Sequence, residues 1–219
     1  MSKNKFKIGI DVGGTNTDGV LVNTKGQIIA KTKQQTTQDL ISGIDNAIGF
    51  LLEQSKVDPV DVKFVMLGTT HCTNAIVERK NLNSIGIIRL CKPASIAIPP
   101  LTDFPKDLEE YFGAHVHMVD GGYEFDGRLI SPLNEAEVRT VLKGMKGQVD
   151  SLAVTGIFSK ANPAQELQVK EWTLEELGDV SVSMSHTIGG LGLLERENAT
   201  IINASLQYIA QHMASSFEE

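Results

Sequence analysis

A run of residues near the start of the chain, Asp11 to Thr17, combines residue types that can bind phosphate and magnesium. It reads Asp-Val-Gly-Gly-Thr-Asn-Thr. Glycines let the backbone approach a ligand closely, and exposed N–H and hydroxyl groups donate to phosphate oxygens. A carboxylate in the same turn suits Mg²⁺, which keeps much of its water shell. The pattern predicts a phosphate-binding turn in which Asp11 holds the metal, and its alternative is an ordinary Gly-Gly hairpin with a solvated aspartate. The phosphate contacts are predicted at Gly13, Gly14, Thr15 and Thr17.

A second segment, Gly68 to Arg79, reads Gly-Thr-Thr-His-Cys-Thr-Asn-Ala-Ile-Val-Glu-Arg. It lies between an apolar run and a helical pattern, and a helix N-terminus presents unpaired N–H groups to an anion. Thr70, Asn74 and Glu78 are spaced four apart and therefore share one helix face. The segment predicts a second ligand-binding surface. The alternative is structural, with Thr70 as a helix cap and Asn74 as a buried amide.

The elements that must position these segments follow from the hydrophobic pattern. Alternation predicts three strands at 6–12, 17–22 and 27–33, joined as an antiparallel meander. A helix at 37–55, a buried strand at 62–67, a helix at 70–79 and a strand at 84–90 follow. The proline-rich stretch 91–112 is predicted to be irregular. Further strands are predicted at 115–119, 152–158 and 180–184, with helices from Asn134 and Pro163 and a long helix from Leu191 onward. The order predicts an α/β protein with a mixed sheet and flanking helices.

Composition narrows the function classes. The chain has 219 residues, 41% of them hydrophobic, and a net charge of −7. These values are typical of a globular protein and exclude a disordered one. Without a basic stripe, nucleic acid is not an expected partner. Two cysteines exclude a disulfide scaffold and a four-cysteine zinc site. The first residues have the pattern of neither a signal peptide nor a membrane span, so we expect a cytoplasmic protein without membrane contact.

The two motifs together resemble those of the hydantoinase/oxoprolinase family, specifically its A-type (N-methylhydantoinase A-like) subunit. The family patterns are Asp-x-Gly-Gly-Thr-x-Thr and Gly-Thr-Thr-x-x-Thr-Asn-Ala-x-x-Glu-Arg, and the second is the more specific. Later segments are also similar to the family, in the same order. They are 158–163, 185–189, 195–200 and 203–204.

This resemblance implies an ATP-coupled hydrolase that opens cyclic amides of the hydantoin or 5-oxoproline type. It implies the ribonuclease H-like, actin-like ATPase fold, with ATP and Mg²⁺ as cofactors. Asp11, Thr70 and Asn74 would be the catalytic residues. A B-type partner subunit and a homo-oligomer are further expectations. The implied ATP-binding residues are Gly13, Gly14, Thr15, Asn16, Thr17, Gly68 and Thr69.

The resemblance also predicts domain boundaries. Residues 1–185 correspond to the family's N-terminal domain, and 186–219 to the start of the next domain, cut short. No second Asp-x-Gly-x-x-Thr pattern is present, and Asp120-Gly121-Gly122 is interpreted as a turn. Two alternative functions remain open. One is a small-molecule kinase with a similar opening turn. The other is a non-catalytic fragment or subunit of a carboxylase-like complex, docking through a terminal helix.

Overall fold

The computed structural model of the protein describes residues 5–37 and 40–215. The chain divides into two units. Unit 1 comprises the chain up to Glu78 together with the segment from Ile209 onward, and unit 2 runs from Arg79 to Tyr208. Each unit is built on its own four-stranded sheet.

Unit 1 contains a mixed sheet of strand order β3-β2-β1-β4. The first three strands form the predicted antiparallel meander, and β4 runs parallel to β1. Two helices, α1 and α2, lie on either side of β4 in the chain. The elements are β1 (Phe6–Val12), β2 (Asn16–Asn23), β3 (Ile28–Gln35), α1 (Leu40–Ser55), β4 (Val62–Thr69) and α2 (His71–Glu78).

The core of unit 1 lies between the meander and α1. Alternate residues of β1 point to one face, and there Ile8 and Ile10 pack with Leu21 of β2 against Ala47 and Leu51 of α1. All five side chains are buried. The period-two alternation in the strands and the three- to four-residue spacing in α1 bring these apolar faces together.

The prediction that the strand at 62–67 is buried is wrong. β4 is exposed from Lys63 to Thr69, and Met66 retains 55% of its accessible surface. The reason is that α1 forms its core with β1, β2 and β3, and of β4, at the edge of the sheet beside β1, only Val62 packs against this core. A continuous apolar run is typical of a strand covered on both faces, but its composition does not report which neighbours cover it.

Unit 2 contains a parallel sheet of strand order β6-β5-β7-β8. Its central strand β5 is buried from Ile85 to Cys91. Helices α4 and α5 pack on one face through residues such as Leu142 and Val169. On the other face, Ser151 of β7 donates to the Ala204 carbonyl oxygen of α6 at 2.7 Å. The elements are β5 (Ile85–Lys92), α3 (Lys106–Phe112), β6 (Val116–Asp120), α4 (Glu135–Met145), β7 (Ser151–Gly156), α5 (Ala164–Leu177), β8 (Ser181–Met184) and α6 (Leu193–Ser205).

Several local predictions hold and two need correction. Asn134 caps α4, because its side-chain oxygen accepts from the Glu137 N–H at 3.2 Å. The stretch 91–112 ends in the helix α3 rather than remaining irregular, since Leu108 and Phe112 bury one helical face. The long terminal helix is interrupted at Leu206, so that α6 is followed by a separate helix, α7 (Gln207–Ser215).

The predicted α/β class with a mixed sheet is confirmed, and the structure adds a second, wholly parallel sheet. Within residues 5–37 and 40–215, no helix combines the length and apolar character needed to cross a lipid bilayer.

Candidate functional site

The two motifs meet in unit 1 at one edge of the sheet. β1 and β4 are parallel neighbours, with Asp11 aligned to Gly68 and Val12 aligned to Thr69. Parallel neighbours end at the same edge, so the segment that follows each strand emerges beside the other. The turn at 13–15 and the start of α2 are therefore adjacent.

The turn after β1 is closed by the backbone and held by a threonine from beyond β3. The Gly13 N–H donates to the Asn16 carbonyl oxygen at 2.9 Å. The Thr36 hydroxyl donates to the Gly13 carbonyl oxygen at 2.8 Å, and the Thr36 N–H donates to the Thr15 carbonyl oxygen at 3.0 Å. Thr36 thus fixes carbonyl groups on both sides of Gly14 and orders the turn without occupying its outer surface.

Glycine is required at two points where the motifs approach each other. A Cβ atom placed on Gly14 would lie 3.2 Å from the Asn74 side-chain nitrogen, and one on Gly68 would lie 3.3 Å from the Asp11 carboxylate. Both distances are tighter than ordinary van der Waals contact, so a larger residue would push Asn74 or Asp11 from its place. Because glycine has no side chain, room remains around the Asp11 carboxylate.

The start of α2 is organised by threonine hydroxyls. Thr69 Oγ1 accepts from the His71 N–H at 3.1 Å and lies 2.7 Å from His71 Nδ1. One turn further, the Asn74 side-chain nitrogen donates to Thr70 Oγ1 at 3.4 Å. Thr70 directly precedes α2 and contacts Asn74, as their four-residue spacing predicts, and Asn74 lies beside Gly14.

The exposure of the predicted residues separates surface groups from supporting ones. Thr17 is fully buried, and its hydroxyl lies 3.3 Å from that of Thr36. This position favours support of the turn over direct contact with a ligand, and a ligand-binding role for Thr17 stays a prediction. Gly13, Asn16 and Asn74 are partly buried. The exposed residues are Asp11, Gly14, Thr15, Gly68, Thr69 and Thr70.

Two contributors were not predicted from the sequence as site residues. Thr36 lies beyond the third strand, and only the register of β2 with β3 brings it to the turn. His71 lies within the second motif, and its contact with Thr69 places its ring at the start of α2. For Thr36, the one sequence feature that could have indicated a site residue is the pair of adjacent threonines at 36 and 37.

An open groove of about 370 Å³ borders the site on β1, β2 and β4. Apart from the carboxylates of Asp11 and Asp18, its lining is glycine or apolar. Within the described part of the chain, no cluster of three or more His, Cys, Asp or Glu side chains could hold a metal. A metal bound here would therefore rely on Asp11, ligand oxygens and water, which is the way Mg²⁺ is commonly held.

Comparison with curated proteins finds distant relatives along nearly the whole chain. The caprolactamase alpha subunit of Pseudomonas jessenii is 26% identical over 94% of this chain. The acetophenone carboxylase gamma subunit of Aromatoleum aromaticum is 28% identical over 94% of it. The chain spans about a third of the length of these relatives, 32% and 31% respectively.

Two solved structures share the fold. The ATP-dependent caprolactamase from Pseudomonas jessenii matches 97% of this chain and 33% of its own, with a TM-score of 0.74 and 22% identity. The nucleotide-free structure of acetone carboxylase matches 98% of this chain and 35% of its own, with a TM-score of 0.71 and 20% identity. These likenesses show that the chain shares its fold with the corresponding third of each of these two proteins, and they confirm the predicted α/β class.

The family model described as the hydantoinase/oxoprolinase N-terminal region matches residues 7–177. This range contains both motifs and most of the two sheets. The match covers well over half of the chain, and the chain therefore belongs to the hydantoinase/oxoprolinase family.

Proposed function

We propose that this chain is the N-terminal part of an ATP-dependent hydrolase that opens C–N bonds of cyclic amides of the hydantoin or 5-oxoproline type. One observation carries the proposal: the glycine turn after β1 and the start of α2 adjoin around Asp11. Family membership and an ATP-dependent relative, the caprolactamase, support it.

Under this proposal, the chain contributes a phosphate-binding surface. The backbone at Gly14 and the exposed Thr15 hydroxyl donate to phosphate oxygens, and the N-terminus of α2 adds the positive end of its dipole. Asn74, beside Gly14, is placed to donate to a ligand oxygen. Thr36 keeps the turn ordered, which lowers the entropic cost of binding.

Asp11 fits the magnesium that accompanies a nucleotide. Its carboxylate is exposed at the end of β1, and the glycine at position 68 leaves room for a hydrated ion beside it. Bound ATP would supply a phosphoryl group that makes an amide carbonyl more electrophilic, and the protein's task in such chemistry is mainly positioning and charge neutralisation. Thr70 and Asn74 are the proposed groups facing the reacting centre.

A related function is favoured by the second relative. The alternative is that the chain is part of a subunit of an ATP-dependent carboxylase-like complex. Its likeness to the acetophenone carboxylase gamma subunit and to the acetone carboxylase structure supports this alternative. In either case we propose a partner subunit, since the curated relatives are themselves named as subunits. The small-molecule kinase alternative retains only the opening turn as support.

The nucleotide part of the proposal is tested by calorimetric titration of the chain with Mg-ATP. We expect Asp11→Asn to weaken binding at least tenfold, because the carboxylate that holds the metal is lost. Asp45→Asn is the matched control, since Asp45 is an exposed aspartate of α1 that does not line the groove beside Asp11. Equal affinities for the two variants would contradict the assigned site.

The glycine contacts are tested in the same titration. Gly14→Ala should weaken Mg-ATP binding by displacing Asn74, whereas Gly49→Ala, whose added methyl group meets nothing within 4 Å, should leave it unchanged. The hydrolase part is tested by ADP release with hydantoin or 5-oxoproline as substrate. ADP release that follows ketone and bicarbonate instead would favour the carboxylase alternative.

A further inference from the structure

The carboxyl edge of the unit 2 sheet contains a second polar cluster, separate from the motifs of unit 1. Beyond β5 the chain goes on to β6 on one side, and beyond β7 it goes on to β8 on the other. The cluster lies beside this divergence, at the carboxyl ends of the parallel neighbours β7 and β8, and α/β proteins commonly bind ligands at this edge of the sheet. Phe158, just after β7, has a positive φ of 48°. Such backbone strain in a non-glycine residue is concentrated at functional sites.

A buried carboxylate lies at the centre of this cluster. Glu166, in the first turn of α5, is 1% exposed. Its Oε1 accepts from the Gly156 N–H at 2.8 Å and from the Ser185 hydroxyl at 2.5 Å. Its Oε2 accepts from the His186 N–H at 2.9 Å. The carboxylate is therefore fixed by donors that follow both β7 and β8.

The same Oε2 lies 2.6 Å from Nδ1 of the His186 ring. An ionised carboxylate only accepts hydrogen bonds, so Nδ1 must carry the proton that is shared with it. In the neutral ring, Nε2 then has the lone pair. Within the described residues no hydrogen-bond partner occupies Nε2, and the side chain is 18% exposed, in contrast to the buried Glu166.

Neighbouring side chains also fix the position of the Glu166–His186 pair. Arg196 of α6 donates through Nε to the Ser185 hydroxyl at 3.0 Å and through a terminal nitrogen to the Gly156 carbonyl oxygen at 2.7 Å. Lys160 donates to the His186 carbonyl oxygen at 2.9 Å. The imidazole is thus oriented on its Nδ1 side and open on its Nε2 side.

We propose that His186, positioned by Glu166, is a general base of unit 2 that activates water for attack on a carbonyl carbon. The O–H bond of water breaks, its proton goes to Nε2, and the electron pair stays on oxygen. That oxygen forms a bond to the carbonyl carbon while the C=O π pair moves to the carbonyl oxygen. When this pair returns to form C=O again, the bond from carbon to the leaving group breaks, the leaving group departs with the bonding electrons, and the imidazolium gives up its proton to it or to water. The Glu166 carboxylate stabilises the imidazolium that results. The ligand class is an acyl compound, and the inference stands or fails without reference to ATP binding in unit 1.

The test is hydrolysis of p-nitrophenyl acetate by the chain in the absence of nucleotide, at mildly alkaline pH. The chain should accelerate release of p-nitrophenolate, and the accelerated rate should be lower in D₂O because a proton moves in the step. His186→Gln should reduce the rate to that of the remaining histidines, whereas His117→Gln should leave it unchanged.

Glu166→Gln should lower the rate about tenfold, the loss expected for one charged hydrogen bond. Glu171→Gln is its matched control, because it changes an exposed residue of the same helix. Since Glu166→Gln removes a buried charge and could unfold the protein, nitrogen NMR of the unmodified chain provides a second measurement. It should show the His186 proton on Nδ1. A proton on Nε2, or a wild-type rate in His186→Gln, would overturn the proposal.

Discussion

A buried ion pair in unit 2 permits a quantitative prediction. Arg89 of β5 and Glu197 of α6 both have fully buried side chains. Arg89 Nε donates to Glu197 Oε1 at 2.7 Å, and a terminal nitrogen donates to Glu197 Oε2. The other terminal nitrogen donates to the Ile98 carbonyl oxygen at 2.5 Å. Both carboxylate oxygens of Glu197 therefore accept hydrogen bonds from Arg89.

Arg89→Met should destabilise unit 2 strongly, because it leaves Glu197 as a buried carboxylate without its countercharge. Breaking one partner of such a pair costs about 3–5 kcal/mol. That loss is a large part of the roughly 5–15 kcal/mol by which domains are stable. In Arg89→Met/Glu197→Met both charges are gone, so the double variant should recover at least about 2 kcal/mol relative to the single one.

Urea denaturation followed by the fluorescence of Trp172, the protein's single tryptophan, measures these free energies within unit 2. Arg128→Met is the matched control. It breaks an exposed ion pair with Asp126 at 2.8 Å and should cost no more than about 1 kcal/mol. If the double variant were as unstable as Arg89→Met, the loss would come from packing and the electrostatic reasoning would be refuted.

Three further predictions concern single residues. Cys91 should resist a thiol reagent in the native protein while Cys72 reacts, because Cys91 is buried and burial raises the pKa of its thiol; equal labelling rates would contradict this. Burial, with the nearby His115 charge, lowers the pKa of His117 below its ordinary 6.5. The unfolded chain therefore binds more protons as the pH falls below 6.5, and stability should decrease there, less steeply in His117→Gln. An unchanged slope would refute the assignment. Asn134→Ala should cost about 1 kcal/mol in urea denaturation by removing the cap of α4, and no loss would show that the cap is not needed.

The sequence predicted the local features of unit 1 well because they depend on short-range patterns. Alternation located β1, and the spacing of Thr70 and Asn74 placed them on one face of α2. That both motifs lie at one sheet edge follows from the parallel pairing of β1 with β4. The strand pattern did not predict this pairing, because alternation identifies strands but not their neighbours.

The features that were missed depend on contacts between distant residues. Arg89 and Glu197 are 108 positions apart, and Glu166 and His186 are 20 apart. No periodicity links such pairs, because the sheet order and helix packing decide which side chains meet. The exposure of β4 was missed for the same reason, since an apolar run reports the preference of a strand and not its neighbours.

The exposure of β4 bears directly on the proposed nucleotide site. β4 aligns Gly68 with Asp11 along the edge that pairs with β1. The phosphate-binding turn therefore does not involve the opposite edge of β4. On the two faces of β4, the neighbouring residues Phe64 and Val65 remain 49% and 46% exposed. An apolar edge strand is a template for pairing with further polypeptide, and the relatives are about three times as long as this chain. Affinity for Mg-ATP in this chain therefore measures the turn, the start of α2 and Asp11, and it does not require that β4 be covered. Binding of Mg-ATP without turnover of hydantoin or 5-oxoproline would accordingly leave the phosphate-binding role of this chain intact.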